Sequence, residues 1–212
     1  MSEGNIILVY GEAETGKTTL AIQCAVNCAR MGYKTVFIDS DNTFFPRRMA
    51  QISGRDFDIL APQIILMKPE DFELQSYIID RLDEFISQKV GLIIVDTITG
   101  LYRVELGGSL RKALTLNREL NRQMAHLAQI ARTRKVATLI ISQVRSVISK
   151  NDDSVEPVAS RVLGFWADIE IALKPTRNNG IIRAEIKAHN DKKLSKLILL
   201  KVEEKGLHDY KI

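Results

Sequence analysis

No stretch of about eighteen apolar residues occurs in this 212-residue sequence, so no segment is suited to cross a bilayer as a helix. The opening Met1-Ser2-Glu3-Gly4-Asn5 is too short and polar for a signal peptide, and the expected location is the cytoplasm, away from membranes. Cysteine is scarce. Cys24 and Cys28 stand one helical turn apart, and no cluster of histidine and cysteine supplies the further ligands of a zinc site, so small packing residues are the simpler reading. Internal repeats and low-complexity tracts are missing too. With 45% hydrophobic residues the chain can bury a substantial core, nothing in its composition forces a second domain, and one domain over 1–212 is expected.

The net charge of +4 is modest but unevenly spread. Between Arg103 and Lys150 ten cations (Arg103, Arg111, Lys112, Arg118, Arg122, Arg132, Arg134, Lys135, Arg145 and Lys150) stand against two acids, Glu105 and Glu119. That window carries +8 and leaves −4 for the remainder. Clustered cations suit a polyanion, because a nucleic-acid backbone rewards them through counterion release. A solvated basic helix face fits the charge equally well.

The most specific signal is Gly11-Glu12-Ala13-Glu14-Thr15-Gly16-Lys17-Thr18-Thr19, which follows the apolar run Ile6–Tyr10 and precedes Leu20-Ala21-Ile22. This is G-x4-G-K-[ST] in its strand, loop and helix setting. The glycines let backbone N–H groups curl around an anion at a helix N-terminus, Lys17 can reach the β- and γ-phosphates, and the Thr18 hydroxyl can ligate Mg²⁺. Asp96 ends the apolar run Leu92–Val95, where a carboxylate can complete that metal shell. Asp39 and Asp41 follow the run Thr35–Ile38. One of them could polarise an attacking water, or both could simply form the turn.

Further apolar runs at Ile64–Met67 and Ala137–Ile141 alternate with helical patterns, which indicates a parallel sheet covered on both faces. One helical stripe runs through Phe72, Ile78, Leu82, Phe85 and Ile86. A second runs through Leu116, Leu120, Met124, Leu127 and Ala131, with Arg118 and Arg122 on another face. Beyond Asp168, alternation on both sides of Asn178-Asn179-Gly180 predicts a hairpin, joined by a strand over Lys196–Val202. The proline-stopped polar stretch from Arg145 to Arg161 reads as a mobile loop. Phe165 and Trp166 could stack on bases, but large aromatics in an apolar run more often pack in a core.

Taken together, the phosphate loop, Ile38-Asp39-Ser40-Asp41-Asn42-Thr43-Phe44-Phe45-Pro46-Arg47-Arg48, Val95-Asp96 with Leu101-Tyr102-Arg103, and Ile141-Ser142-Gln143-Val144 resemble the ATPase core of the RecA/RadA recombinases. The similarity covers nearly the whole chain. It implies an α/β fold: a RecA-like P-loop NTPase core with a mainly parallel sheet, helices on both faces and a C-terminal antiparallel extension. Because the chain starts at the first strand, the resemblance implies the core without the N-terminal helical domain and polymerisation linker, the plan of an archaeal paralogue in that family.

The resemblance also assigns roles. Asp41 takes the place of a catalytic Glu, Arg48 that of an Arg over the adenine, and Gln143 that of the glutamine that senses the γ-phosphate, although Ser142 replaces an Asn. Tyr102–Lys112 and Arg145–Gly164 match two DNA loops that flank the basic window, and loops and window together implicate Arg103, Arg111, Lys112, Arg118, Arg122, Arg145 and Lys150. Lys187 and His189 lie near positions where the family sets cations against a neighbouring subunit. ATP and Mg²⁺ are the implied cofactors and single-stranded DNA the implied partner, with recombination or repair proteins and a second copy of the chain as further candidates. Asp41 is one methylene shorter than Glu, so slow hydrolysis is expected. The alternative is a regulatory ATPase resembling the circadian-clock KaiC proteins, acting through protein assembly; a nucleotide kinase fits poorly, because the polar loop from Arg145 to Arg161 is a poor candidate for the arginine-bearing lid it needs.

Overall fold

The computed structural model describes residues 3–107, 109–146, 155–188 and 195–210. In chain order its strands are β1 (Ile6–Gly11), β2 (Lys34–Asp39), β3 (Ile64–Met67), β4 (Val90–Asp96), β5 (Ala137–Ser142), β6 (Val144–Ser146), β7 (Val155–Pro157), β8 (Ile169–Pro175), β9 (Ile181–Ala188), β10 (Ser195–Glu203) and β11 (Gly206–Asp209). Its α-helices are α1 (Lys17–Arg30), α2 (Pro46–Ser53), α3 (Phe57–Leu60), α4 (Phe72–Asp80), α5 (Leu82–Phe85), α6 (Gly100–Glu105), α7 (Leu110–Arg134) and α8 (Ser160–Trp166).

Nine strands form one sheet in the order β11-β10-β9-β8-β1-β5-β4-β2-β3. The strands from β8 to β3 run parallel, and β9, β10 and β11 add the antiparallel extension. Every residue of β1 and β5 is buried, as continuous apolar runs covered on two faces require. Residues Ile7, Val9, Phe37, Ile94 and Ile141 pack with Ala21, Ile22, Ala25 and Val26 of α1 on one face. On the other, Leu8, Val36, Ile93 and Ile140 pack with Leu120, Met124, Leu127 and Ala131 of α7.

The long helix follows its apolar stripe closely. Ser109 caps its first turn by accepting from the Lys112 N–H, and Arg132 and Arg134 sit in its last turn, where cations oppose the helix dipole favourably. The first stripe corresponds to two short helices, because the chain breaks at Arg81. Asp71 caps the start of α4 through the Leu74 N–H at 2.7 Å, Ile79 is fully buried, and Phe85 is left exposed. The region expected to be a loop is partly regular: β6 pairs antiparallel with β7, and α8 begins at Ser160. Residues 147–154 of that segment lie outside the described residues.

Phe165 and Trp166 belong to α8. Trp166 packs on the core and its indole N–H donates to Asn121 Oδ1 at 3.0 Å, whereas Phe165 is 75% exposed, so the expected burial holds for one of the two.

Leu120 has no exposed surface and lies at the centre of the α7 contact with the sheet. Replacing it with Ala should lower the unfolding free energy by about 3 kcal/mol, read from the urea midpoint at unchanged slope, because a buried cavity costs packing as well as transfer energy.

Candidate nucleotide-binding site

The strand-to-helix junction is shaped by its two glycines. A Cβ on Gly11 would lie 2.3 Å from the Leu173 carbonyl oxygen of β8, so only hydrogen fits there. Gly16 has φ 82°, the left-handed conformation that favours glycine, and its carbonyl accepts from the Leu20 N–H as α1 begins. Thr15 Oγ1 donates to the Glu12 carbonyl at 2.8 Å, and Lys17 Nζ donates to the same oxygen at 2.6 Å. Burial lowers the Lys17 pKa, while Asp96, Asp41 and Glu12 hold it up.

A cavity of about 480 Å³ opens beside this loop, lined by Gly11, Ala13, Lys17, Thr18, Asp41, Thr43, Asp96, Thr97, Arg103, Gln143 and Val144. It lies at the C-terminal ends of β1, β5, β4 and β2, where loops from parallel neighbours converge. Asp96 is buried, and neither carboxylate oxygen has a hydrogen-bond partner of good geometry among the described residues. Burial pushes its carboxyl up to about 7; the adjacent Thr18 hydroxyl and the Lys17 ammonium oppose that rise, whereas Asp41 and Asp39 add to it. Two orphaned buried oxygens next to a Thr hydroxyl suit a hard divalent cation, so Thr18 and Asp96 fit Mg²⁺.

The two acids after β2 separate in role. Asp39 is a turn anchor: its Oδ1 accepts from the Thr43 N–H at 2.8 Å, its Oδ2 from the Phe44 N–H at 3.0 Å, and Lys68 lies 3.7 Å away. Asp41 faces the cavity. Its Oδ2 accepts from the Thr97 hydroxyl at 3.0 Å and from Gln143 Nε2 at 2.8 Å. Its Oδ1 occupies the hollow left by Gly100, 1.7 Å from where a Cβ would stand. Gln143 Oε1 in turn accepts from the Arg103 guanidinium, and its N–H donates to Thr99 Oγ1. Thr97, Thr99 and Gly100 were absent from the expected site. Thr97 and Thr99 have a signal in the run Asp96-Thr97-Ile98-Thr99-Gly100, polar residues at alternate positions after a buried strand, and Gly100 has none.

Arg48 stands outside the cavity lining. Its guanidinium donates to the Glu203 and Glu204 carbonyls at 2.7 and 2.9 Å and to Gln51, which ties α2 to the β10–β11 turn. That hairpin also meets the phosphate loop, with Val202 and Leu207 against Gly16. Thr19 continues α1 behind Thr18.

The basic window divides. Arg122 is clamped by Glu119 at 2.6 Å and by Asp80 at 2.5 Å, Lys112 pairs with Glu105, Arg134 with Asp83, and Arg145 with Glu156. Arg111 and Arg118 are exposed and have no ion pair among the described residues. Arg118 and Arg122 stand i, i+4 on α7, and the cost of two like charges there is relieved because Arg122 turns to its acids. Lys150 and His189 lie outside the described residues; Lys187 is exposed on β9.

The Rad51 family model matches residues 1–210. The chain belongs to the Rad51 family. Within it, the chain is 31% identical to the DNA repair and recombination protein RadB of Methanococcus maripaludis over 202 residues, 95% of this chain and 90% of that protein. RadB of Methanococcoides burtonii is 33% identical over 189 residues, 89% of this chain and 82% of that protein. A crystal structure of the RadB recombinase superposes with a TM-score of 0.83 at 29% identity, covering 99% of this chain and 92% of that one. The RecA-like fold expected from the motifs is therefore the fold of this chain, and the similarity extends through the C-terminal hairpin.

A carboxyl that titrates near 7 when folded and near 3.8 otherwise holds a proton that the unfolded chain has already lost. Stability of the metal-free protein in EDTA should therefore fall as pH rises from about 4 to about 7, by at most about 1.4 kcal/mol per unit from this group. Asp96→Asn should remove that part of the slope in urea titrations at pH 5 and 7.5.

Proposed function

We propose that this chain is a RadB-like DNA repair and recombination protein that binds ATP with Mg²⁺ in the cavity between β1 and β4, hydrolyses it slowly and couples its nucleotide state to single-stranded DNA. The observation that carries the reading is the convergence of Lys17, Thr18, Asp41, Asp96 and Gln143 on one cavity at the phosphate loop. The Rad51-model match and the RadB relatives support recombination over a clock-type regulatory ATPase.

Backbone N–H groups at the start of α1 bind the phosphates, and Lys17 reaches the terminal pair. Thr18 and Asp96 would hold Mg²⁺, which neutralises charge on the phosphate oxygens. Asp41 is the group that orients water: the water oxygen bonds to the γ-phosphorus as the bond from phosphorus to the bridging oxygen breaks. The water proton passes through Asp41 to solvent, and ADP keeps the bridging oxygen. Gln143 holds the Asp41 carboxylate at 2.8 Å and so sets its direction. The short Asp side chain, drawn back into the Gly100 hollow, is the reason for slow turnover.

Steady-state turnover should fall to background in Lys17→Ala and rise on the order of tenfold in Asp41→Glu, since a longer side chain brings the carboxylate toward the water. A flat or lower rate in Asp41→Glu contradicts the cause given for slow hydrolysis. DNA contact is assigned first to Arg111 and Arg118, two exposed cations of the window with no ion pair among the described residues. Replacing both with Ala should weaken binding to oligothymidylate and reduce the slope of log affinity against log salt by about 1.4, two contacts at about 0.7 each. Arg122→Ala, which removes an internal clamp, should leave that slope unchanged.

A further inference from the structure

Arg103 stands apart from the other cations of its window. It is carried by α6, which begins four residues after Asp96, and it lines the cavity that Lys17, Thr18, Asp41, Asp96 and Gln143 also line. Gly100 and Arg103 are three residues apart and share one face of α6, and that face is the one against which the Asp41 carboxylate is lodged. The neighbouring Tyr102 turns the other way, buried against Phe72 with its hydroxyl donating to Asn117 Oδ1 at 3.1 Å, which fixes the rotation of the helix about its axis.

The guanidinium is held toward the cavity by Gln143 Oε1, and Gln143 Nε2 is bonded to Asp41 Oδ2 at 2.8 Å. An arginine presents five N–H donors in a planar fork. One contact, to a neutral amide, accounts for its side-chain bonding among the described residues, and it has no carboxylate partner there. Arg122 and Lys112 show the opposite case, since each is neutralised by an acid. A mostly uncommitted guanidinium in the same cavity as a phosphate-loop lysine and the Asp41 carboxylate is placed for an anion rather than for structure.

We propose that Arg103 contacts the terminal phosphate from within the same chain and stabilises the charge that spreads over its oxygens as the bond to the bridging oxygen breaks. This assignment rests on the ATPase reading above. It moves Arg103 from the DNA surface, where the resemblance put it, to the nucleotide cavity. It also gives Gln143 a second task, because the same amide holds the Asp41 carboxylate with one end and the Arg103 guanidinium with the other. The water-orienting acid and the charge-stabilising cation are thereby set by one side chain, and Arg103→Lys, with no fork to bridge amide and phosphate, is not a conservative change.

The test measures affinity for ADP with Mg²⁺, with and without aluminium fluoride, together with turnover, in the unaltered protein, Arg103→Ala and Arg103→Lys. Arg103 is exposed, so both variants should keep the unaltered circular dichroism and urea midpoint. Affinity for ADP alone should stay within about twofold, since its phosphates are bound by the loop. Affinity for ADP with aluminium fluoride should fall about 100-fold in Arg103→Ala, with a like drop in kcat and KM within about threefold, the loss expected when one charge-stabilising donor is removed. Arg103→Lys should recover only a small part of that loss, and oligothymidylate affinity should change less than about threefold. The proposal is overturned if aluminium fluoride affinity and kcat are unchanged, and a large loss of oligothymidylate affinity in that case returns Arg103 to the DNA surface. If the unaltered protein binds no ADP at all, the ATPase reading fails and the assignment fails with it.

Discussion

Gly11 touches the backbone of β8, and the chain must then reverse at Gly16, with φ 82°, before α1 can begin. Gly11 leaves no room for a side chain and Gly16 takes the left-handed conformation that glycine adopts most readily, and together they set the bend of the chain between β1 and α1. Everything proposed for the site depends on that bend. Without it Lys17 would have no reason to be held over the Glu12 carbonyl, and the orphaned oxygens of Asp96 would be a buried charge with nothing to meet it.

The charges around the bend explain one another. Asp96 is costly to keep ionised in the apo protein because it is buried beside Asp41 and Asp39, and a divalent cation with phosphates would reverse that cost. Asp39 is spent on two turn amides, which leaves Asp41 to face the cavity. Asp41 in turn depends on Thr97, Gln143 and the missing side chain of Gly100 for its direction. On the far side, the β10–β11 hairpin leans on Gly16 and holds Arg48 by two carbonyls, so the C-terminal extension shapes the loop as well as closing the sheet edge.

Much of this is legible in sequence because the signals are local. The phosphate loop is an eight-residue pattern, the inner strands are continuous apolar runs, and α7 repeats its stripe for long enough to be unmistakable. The hairpin after Asp168 follows from its Asn-Gly turn. What escapes is set by partners far away in the chain. Arg122 looks like a free cation until Asp80, 42 residues earlier, closes on it. Arg48 is bonded 155 and 156 residues away, and Arg103 meets Gln143 across 40 residues. Gly100 gives no sign in a single sequence that it makes room for a carboxylate. The four-residue β11 is too short to show a period, and the break at Arg81 leaves the apolar spacing almost intact.

The most direct test of the central claim follows backbone amide resonances of ¹⁵N-labelled protein during titration with Mg²⁺ and ATP. Saturable one-to-one shifts, largest at the amides of Gly16, Lys17, Thr18 and Thr19, are expected if those groups clasp the phosphates. Resonances of this loop that stay fixed at millimolar nucleotide, or shifts centred elsewhere on the chain, would contradict it.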